Sequence, residues 1–279
     1  MNKKVLGSVI LSMAGGLACH GAIADEWKYT LGTDISSGDY GDSASTDIVS
    51  TPFTVSYSPS DQWTFKASLP WVQIDGPGGV IPGGDGGVVV GNGNGNGRGN
   101  NGGGMGGGTT TTQTSTYSES GVGDLWLSGT YSLEPVAERW FFDLTGKFKV
   151  PTADEDKGLG TGQTDYTLQA EAFTAMGDFT PYVTLARKFK GDLPAQEIKD
   201  VWYTSVGSGY RLNDQSSVGM SLDYQQATSD TSDPSTELFG YLNHKFSQQW
   251  SGMLYAYLGL ADGSPDQGVG FQVSYRPGN

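Results

Sequence analysis

The chain has 279 residues, only 36% of them hydrophobic, and a formal net charge of −14. A surface that acidic repels phosphate, so nucleic-acid binding is excluded. Beyond the first residues no stretch approaches the roughly 18 unbroken apolar residues of a transmembrane helix, so a helical membrane protein is excluded as well.

The chain opens on a targeting segment. Lys3 and Lys4 give a positive start, Val5 to Leu17 an apolar stretch too short to span a bilayer, and Ala22-Ile-Ala24 a small-residue cleavage site. Residues 1–24 therefore read as a signal peptide for the general secretory route, and 25–279 as the mature chain. Cys19, the one cysteine, leaves with that segment; its reading as a lipoprotein cysteine is disfavoured by Gly16, where such sites carry leucine. The mature chain then has no disulfide or thiolate chemistry.

From Trp27 onward, large apolar residues fall on every second position, the period of a strand with unlike faces. The alternation predicts twelve strands: Trp27–Ser36, Asp47–Ser58, Gln62–Ile74, Gly121–Leu133, Arg139–Val150, Thr164–Ala175, Phe179–Lys190, Asp200–Leu212, Ser216–Gln226, Thr236–Phe246, Gln249–Leu260 and Gly268–Arg276. Short connections rich in turn formers, such as Met176-Gly-Asp178 and Asn213-Asp-Gln215, alternate with long ones without exception. That segregation predicts an all-β fold: a transmembrane antiparallel up-and-down β-barrel of the outer-membrane type, with short periplasmic turns and long extracellular loops. Residues 75–120 form the longest connection. The run Gly91-Asn-Gly-Asn-Gly-Asn-Gly-Arg-Gly-Asn100, followed by more glycines and Thr109 to Thr112, buries too little apolar surface to order itself and predicts a flexible extracellular loop.

Taking the apolar phase of each strand as lipid-facing points Trp63, Phe65, Leu69, Trp71, Trp140, Phe148, Met220, Leu222 and Phe271 outward, with tryptophans at strand ends as interface girdles. The first and seventh strands are ambiguous in phase. The opposite phase predicts a lumen lined by Asp143, Lys147, Lys149, Glu171, Arg211, Asp223, Glu237, Tyr241, Lys245, Tyr255 and Tyr257, with Asp124, Arg139, Asp165, Trp126, Phe141, Phe173, Tyr203 and Phe239 on the same face. A charge facing lipid near mid-membrane costs on the order of 2–4 kcal/mol, which forces these charges inward. Twelve strands lie between a filled barrel and an aqueous pore. The lumen reads equally as a knitted interior or as a mixed polar and aromatic path.

Two stretches resemble a known family. Gly121-Val-Gly-Asp-Leu125, opening a strand, and Lys149-Val-Pro-Thr152 followed by Leu159-Gly-Thr-Gly162 and Asp165 resemble the outer-membrane protein family named for the MetA (meta-cleavage) pathway of phenol degradation. The chain departs from that pattern at Ala153, where the family suggests glycine, and in its glycine-rich loop. The resemblance implies a barrel that passes hydrophobic or aromatic compounds.

No enzyme is predicted. The mature chain holds one histidine, His244, without the His-x-Ser spacing of barrel phospholipases, and its phase places it on the lipid side. Asp154-Glu-Asp156 beside Lys157 reads as a solvated charge run, and no cofactor or metal is expected. The expected partners are outer-membrane lipids, a small-molecule solute, and the periplasmic chaperones and barrel-assembly machinery met during export. Assembly favours a terminal strand ending in an aromatic, and here Tyr275 is followed by Arg276-Pro-Gly-Asn279. The reading is a passive channel for small, apolar or aromatic solutes; the alternative is a non-conducting barrel whose outer loops bind a surface partner.

Overall fold

In the computed structural model the alternating segments pair, each with its sequence neighbours, into one closed antiparallel wall. The structure describes residues 25–40, 45–76, 117–136, 139–192, 198–230 and 232–278, with the two-residue strands 11–12, 15–16, 80–81 and 88–89. The cleavage site and most of the glycine-rich connection lie outside the described residues.

The twelve wall strands are β1 (Glu26–Gly38), β2 (Thr46–Ser58), β3 (Trp63–Gly76), β4 (Tyr117–Val122 and Leu125–Ser132), β5 (Trp140–Val150), β6 (Asp165–Thr174), β7 (Phe179–Phe189), β8 (Val201–Arg211), β9 (Ser216–Gln225), β10 (Ser235–Lys245), β11 (Trp250–Gly259) and β12 (Gln267–Tyr275). β12 closes onto β1 from Gln267↔Ser37 to Tyr275↔Tyr29, which leaves no free edge. Among the described residues there is no helix.

β4 departs most from the alternation. It begins at Tyr117 rather than Gly121, because Ser118, Glu119 and Ser120 carry no apolar rhythm and are drawn into the wall by pairing with β3. It then breaks. Above the break Trp71 pairs with Val122, and below it Ser68 pairs with Trp126, so β4 carries one residue more than β3. Pro70 explains the break. Its carbonyl accepts from Gly123 N–H at 2.8 Å, so the side of Pro70 that lacks an N–H faces β4, and the ladder is interrupted there. The extra residue is a β-bulge, and it turns Asp124 to the inner face.

Burial alternates along every strand. Outside, Leu31, Phe53, Leu144, Leu168, Leu185, Val206, Met220, Leu254 and Phe271 form an exposed apolar belt. Trp27 stacks on Tyr57, and Trp63 lies tilted against Tyr131 and Trp250 against Tyr275, each pair at the short-turn end, with ring centroids 4.5–4.9 Å apart. Such a belt with aromatic ends suits a hydrocarbon layer bounded by water. The structure also settles the two ambiguous strands. In β7 the even positions Thr180, Tyr182, Thr184, Ala186 and Lys188 are buried, and in β1 the even phase, with Gly32, Asp34 and Ser36, turns inward.

Candidate functional site

The barrel interior has two unlike walls. One runs from β3 to β7 beneath the connection 151–164. The bulge there places Asp124 beside Lys149, whose Nζ lies 3.3 Å from Asp124 and 3.1 Å from Asp165 and donates to Thr161 Oγ1 at 2.8 Å. Lys190 adds a second cation at 3.2 Å from Asp165, and Gly191 N–H donates to the same carboxylate. Lys149 is only 4% exposed, and charges this buried persist only when paired and hydrogen-bonded.

The connection itself folds inward over this cluster. Ala153 N–H donates to Asp124, Leu125 N–H donates to Thr152 Oγ1, and that hydroxyl donates to the Gly123 carbonyl. An Asx turn at Asp154 receives the N–H groups of Asp156 and Lys157. Gly158 and Gly162 take positive φ, which reverses the chain so that Leu159 points back into the barrel. Leu159 is buried with Tyr40, Ile48, Val72 and Ile74 in an apolar cap. A Cβ on Gly160 would stand 2.6 Å from Ala153 Cβ, so that approach requires glycine, and one on Gly121 would press on Leu159 Cδ1 at 2.8 Å. Burial pushes the Tyr40 phenol up to about 12, keeping it neutral within this cap. Asp154, Glu155 and Asp156 remain solvated on the outer side.

Lower on the same wall, Asp143 and Glu171 stand directly opposite each other on β5 and β6. Facing carboxylates repel. Here the charges of Lys66 and Lys147 act against that repulsion, and Thr184 donates to Glu171 at 2.9 Å. Phe141 stacks on Phe173 below them, with Tyr182 in the same cluster.

The other wall, β8 to β1, is aromatic. Phe239, Tyr241, Met253, Tyr255 and Tyr257 form one buried cluster. Its tyrosines pair directly across the ladder with glycines: Tyr241 with Gly219, Tyr255 with Gly270, Tyr257 with Gly268 and, on β7, Tyr182 with Gly207. A Cβ on Gly207 would stand 2.6 Å from the Tyr182 ring, and the other three glycines are covered in the same way. The rings thus lie along the wall over the missing side chains. Of these, Tyr257 anchors its hydroxyl on a carboxylate, donating to Asp34 at 2.9 Å; Tyr203, on β8, does the same to Asp223 at 3.2 Å.

Of the residues that the alternation predicts for the lumen, Asp143, Lys147, Lys149, Glu171, Asp223, Tyr241, Tyr255 and Tyr257 are buried on the inner face. Glu237 is half-buried there. Arg211 and Lys245 sit at the short-turn rim: Arg211 bonds Asp178 with two nitrogens at 2.7 and 2.9 Å, and Lys245 is exposed. Arg139 is an exposed turn residue rather than part of β5. His244 lies on the outward phase, with Nδ1 2.9 Å from Ser216 Oγ and Phe246 edge-on to its ring. Asp34, Lys66, Tyr182, Lys188 and Leu159 belong to the interior although the alternation did not single them out. For Tyr182 a signal existed in the cross-strand glycine; for Leu159 there was none short of the family motif.

The chain matches the family described as "Putative MetA-pathway of phenol degradation" over residues 76–276. No curated protein matches it in sequence. Among solved structures it is similar to an outer membrane channel from Pseudomonas putida F1, at 12% identity and TM-score 0.65, covering 92% of this chain and 97% of that one. It is also similar to the NanC porin, at 9% identity and TM-score 0.54 over 88% of this chain and 98% of that one, and to the KdgM porin, at 9% and 0.52 over 89% and 98%. At these identities the likeness speaks for the closed outer-membrane barrel fold. The bulge, Lys149 and the inward connection are built from the residues on which the sequence resemblance rests, and the chain belongs to the family described as the putative MetA pathway of phenol degradation.

Proposed function

We propose that this chain is a passive channel of the outer membrane, conducting small solutes with an aromatic or otherwise apolar body. The observation that carries the reading is the buried strip of Phe239, Tyr241, Met253, Tyr255 and Tyr257 on the inside of a barrel whose outside is already apolar. Stability in lipid asks for apolar side chains on the outer face, and a wall that served only as scaffold has no need of them on the inner one. Rings fixed along that wall offer a solute apolar contact at little entropic cost, while hydroxyls and charges keep the opposite side polar. The inward connection 151–164 narrows the long-loop end and directs a solute along the aromatic side.

The reading includes outer-membrane localisation by way of a cleaved signal peptide, and transport without catalysis. Ser216 and His244 pair, but on the outward phase and away from the interior. The test is single-channel recording of the refolded mature chain in planar bilayers, followed by uptake of benzyl alcohol into barrel-containing liposomes. Discrete current steps, with uptake reduced several-fold by Tyr255→Ala and Tyr257→Ala, are the expected result. Silence from a folded, heat-modifiable barrel would overturn the channel and favour a structural barrel acting through its loops.

A further inference from the structure

We propose that Arg187, set between the rings of Phe189 and Trp202 on the outer face of the barrel, binds the phosphate of a lipid head group in the leaflet at the long-loop end. The proposal rests on the outer-membrane reading and names a lipid that the wall holds there.

Every lysine and arginine on a described wall strand has the inward phase except Arg187. It is the third residue from the end of β7, and its chain neighbours Ala186 and Lys188 are both buried on the inner side. Across the two ladders it pairs with Leu168 on β6 and Trp202 on β8, which are exposed on the outer belt. The guanidinium carbon lies 5.3 Å from the Trp202 ring centroid and 5.9 Å from that of Phe189, and Phe189 stacks in turn on Tyr166. A cation facing hydrocarbon is costly at mid-membrane and tolerated near the interface. Its place by the strand end, among rings of the interface girdle, sets it at head-group depth.

The carboxylate beside it does not close on it. Asp200 Oδ2 stands 3.7 Å from Arg187 Nη2, beyond hydrogen-bond length, while Asp200 Oδ1 accepts from Lys190 N–H at 3.1 Å. The arginines of the short-turn rim behave differently: Arg211 meets Asp178 at 2.7 Å and Arg276 meets Glu26 at 2.8 Å. Stacking on rings engages the flat face of a guanidinium. Its N–H groups lie in the plane and suit two oxygens of one phosphate. What lies below favours a lipid over a free anion. Leu185, the next outward residue of β7, pairs with Ala170 and Thr204, so the wall is low on both sides of it, where an acyl chain of the same molecule rests.

The experiment adds dioleoyl phosphatidic acid or dioleoylglycerol to the full mature barrel in non-ionic detergent, with inorganic phosphate as competitor, and reads bound lipid by native mass spectrometry. Phosphatidic acid is expected to bind more tightly than the diacylglycerol, and inorganic phosphate should not displace it. Its affinity should fall about fivefold in Arg187→Gln, as for loss of an ion pair at a partly solvated surface. Arg187→Lys, which keeps the charge and loses the planar fork, should lose less. Trp202→Leu, which alters no charge, should weaken binding about threefold. Equal binding of the two dioleoyl lipids overturns the site, as does an unchanged affinity in Arg187→Gln that still shows the heat-modifiable shift of a folded barrel. Displacement by inorganic phosphate would reveal an anion site indifferent to lipid and overturn it too. Planar-bilayer recording separates this site from the channel. Current from a barrel that binds both lipids alike leaves the channel and removes the site; a silent barrel that still prefers phosphatidic acid keeps the site and removes the channel.

Discussion

The two inner walls solve the same problem by opposite means. Between β3 and β7 the interior is fixed by charge: Lys149 joins two carboxylates and a threonine, and the backbone of the connection above closes onto Asp124. Between β8 and β1 it is fixed by shape, with rings laid over glycines and anchored by single hydroxyl contacts. A charge cluster is costly to break because a member left without its partner stays buried. A ring on a glycine gives way by a rotamer change. The first wall is therefore suited to hold a constriction in place, and the second to adapt to what passes.

The largest effect should come from Lys149→Met. It takes the ion-pair partner from Asp124 and leaves Asp165 to Lys190 alone, and about 3 kcal/mol of stability should be lost in urea unfolding, together with a wider conductance as the connection lets go. A loss below about 1 kcal/mol would mean that water, not Lys149, solvates these carboxylates. Leu159→Ala empties the apolar cap against Ile74 and Val72 and should cost about 2–3 kcal/mol, at the low end for a core leucine because a loop relaxes more readily than a strand. Conductance should rise again. On the aromatic wall Gly268→Ala forces the Tyr257 ring off its seat, at about 1–2 kcal/mol, and should lower conductance rather than raise it. That opposite sign of conductance change is the sharpest separation of the two walls. Least of all, Lys157→Ala removes an exposed pair 3.7 Å from Glu119 and should change unfolding by under about 0.5 kcal/mol.

Much of this barrel was legible in the chain because alternation reports a face directly. Trp63, Phe65, Leu69 and Trp71 are exposed and Asp143, Lys147, Tyr255 and Tyr257 buried, as a period of two requires. The errors sit where the period is interrupted or absent. The alternation gives no sign that Pro70 disturbs its neighbour strand, so the bulge at Gly123 and Asp124 and the early start of β4 were missed. Lys188 follows Arg187, and in that pair of cations a periodic argument cannot say which is inside; the ladder decides by burying Lys188 and leaving Arg187 against Phe189 and Trp202 on the outer face. The inward turn of Leu159 depends on contacts with β2 and β3, far away in sequence, and no local pattern encodes it. Arg211 and Lys245 have the inward phase but lie one step past the wall, where phase no longer determines environment.

The seam between β12 and β1 brings Arg276 Nε to 2.8 Å from Glu26 Oε1, with Arg276 N–H donating to the Gln249 carbonyl. The first and last strands of the wall thus begin and end side by side at the short-turn end. A direct link between them, with new ends opened in the exposed turn 246–249, would leave every ladder pairing intact. The order in which the strands are synthesised is then separable from the order in which they stand. A circularly permuted chain of this kind offers a way to ask whether the barrel closes at a fixed seam or at whichever edge is completed last.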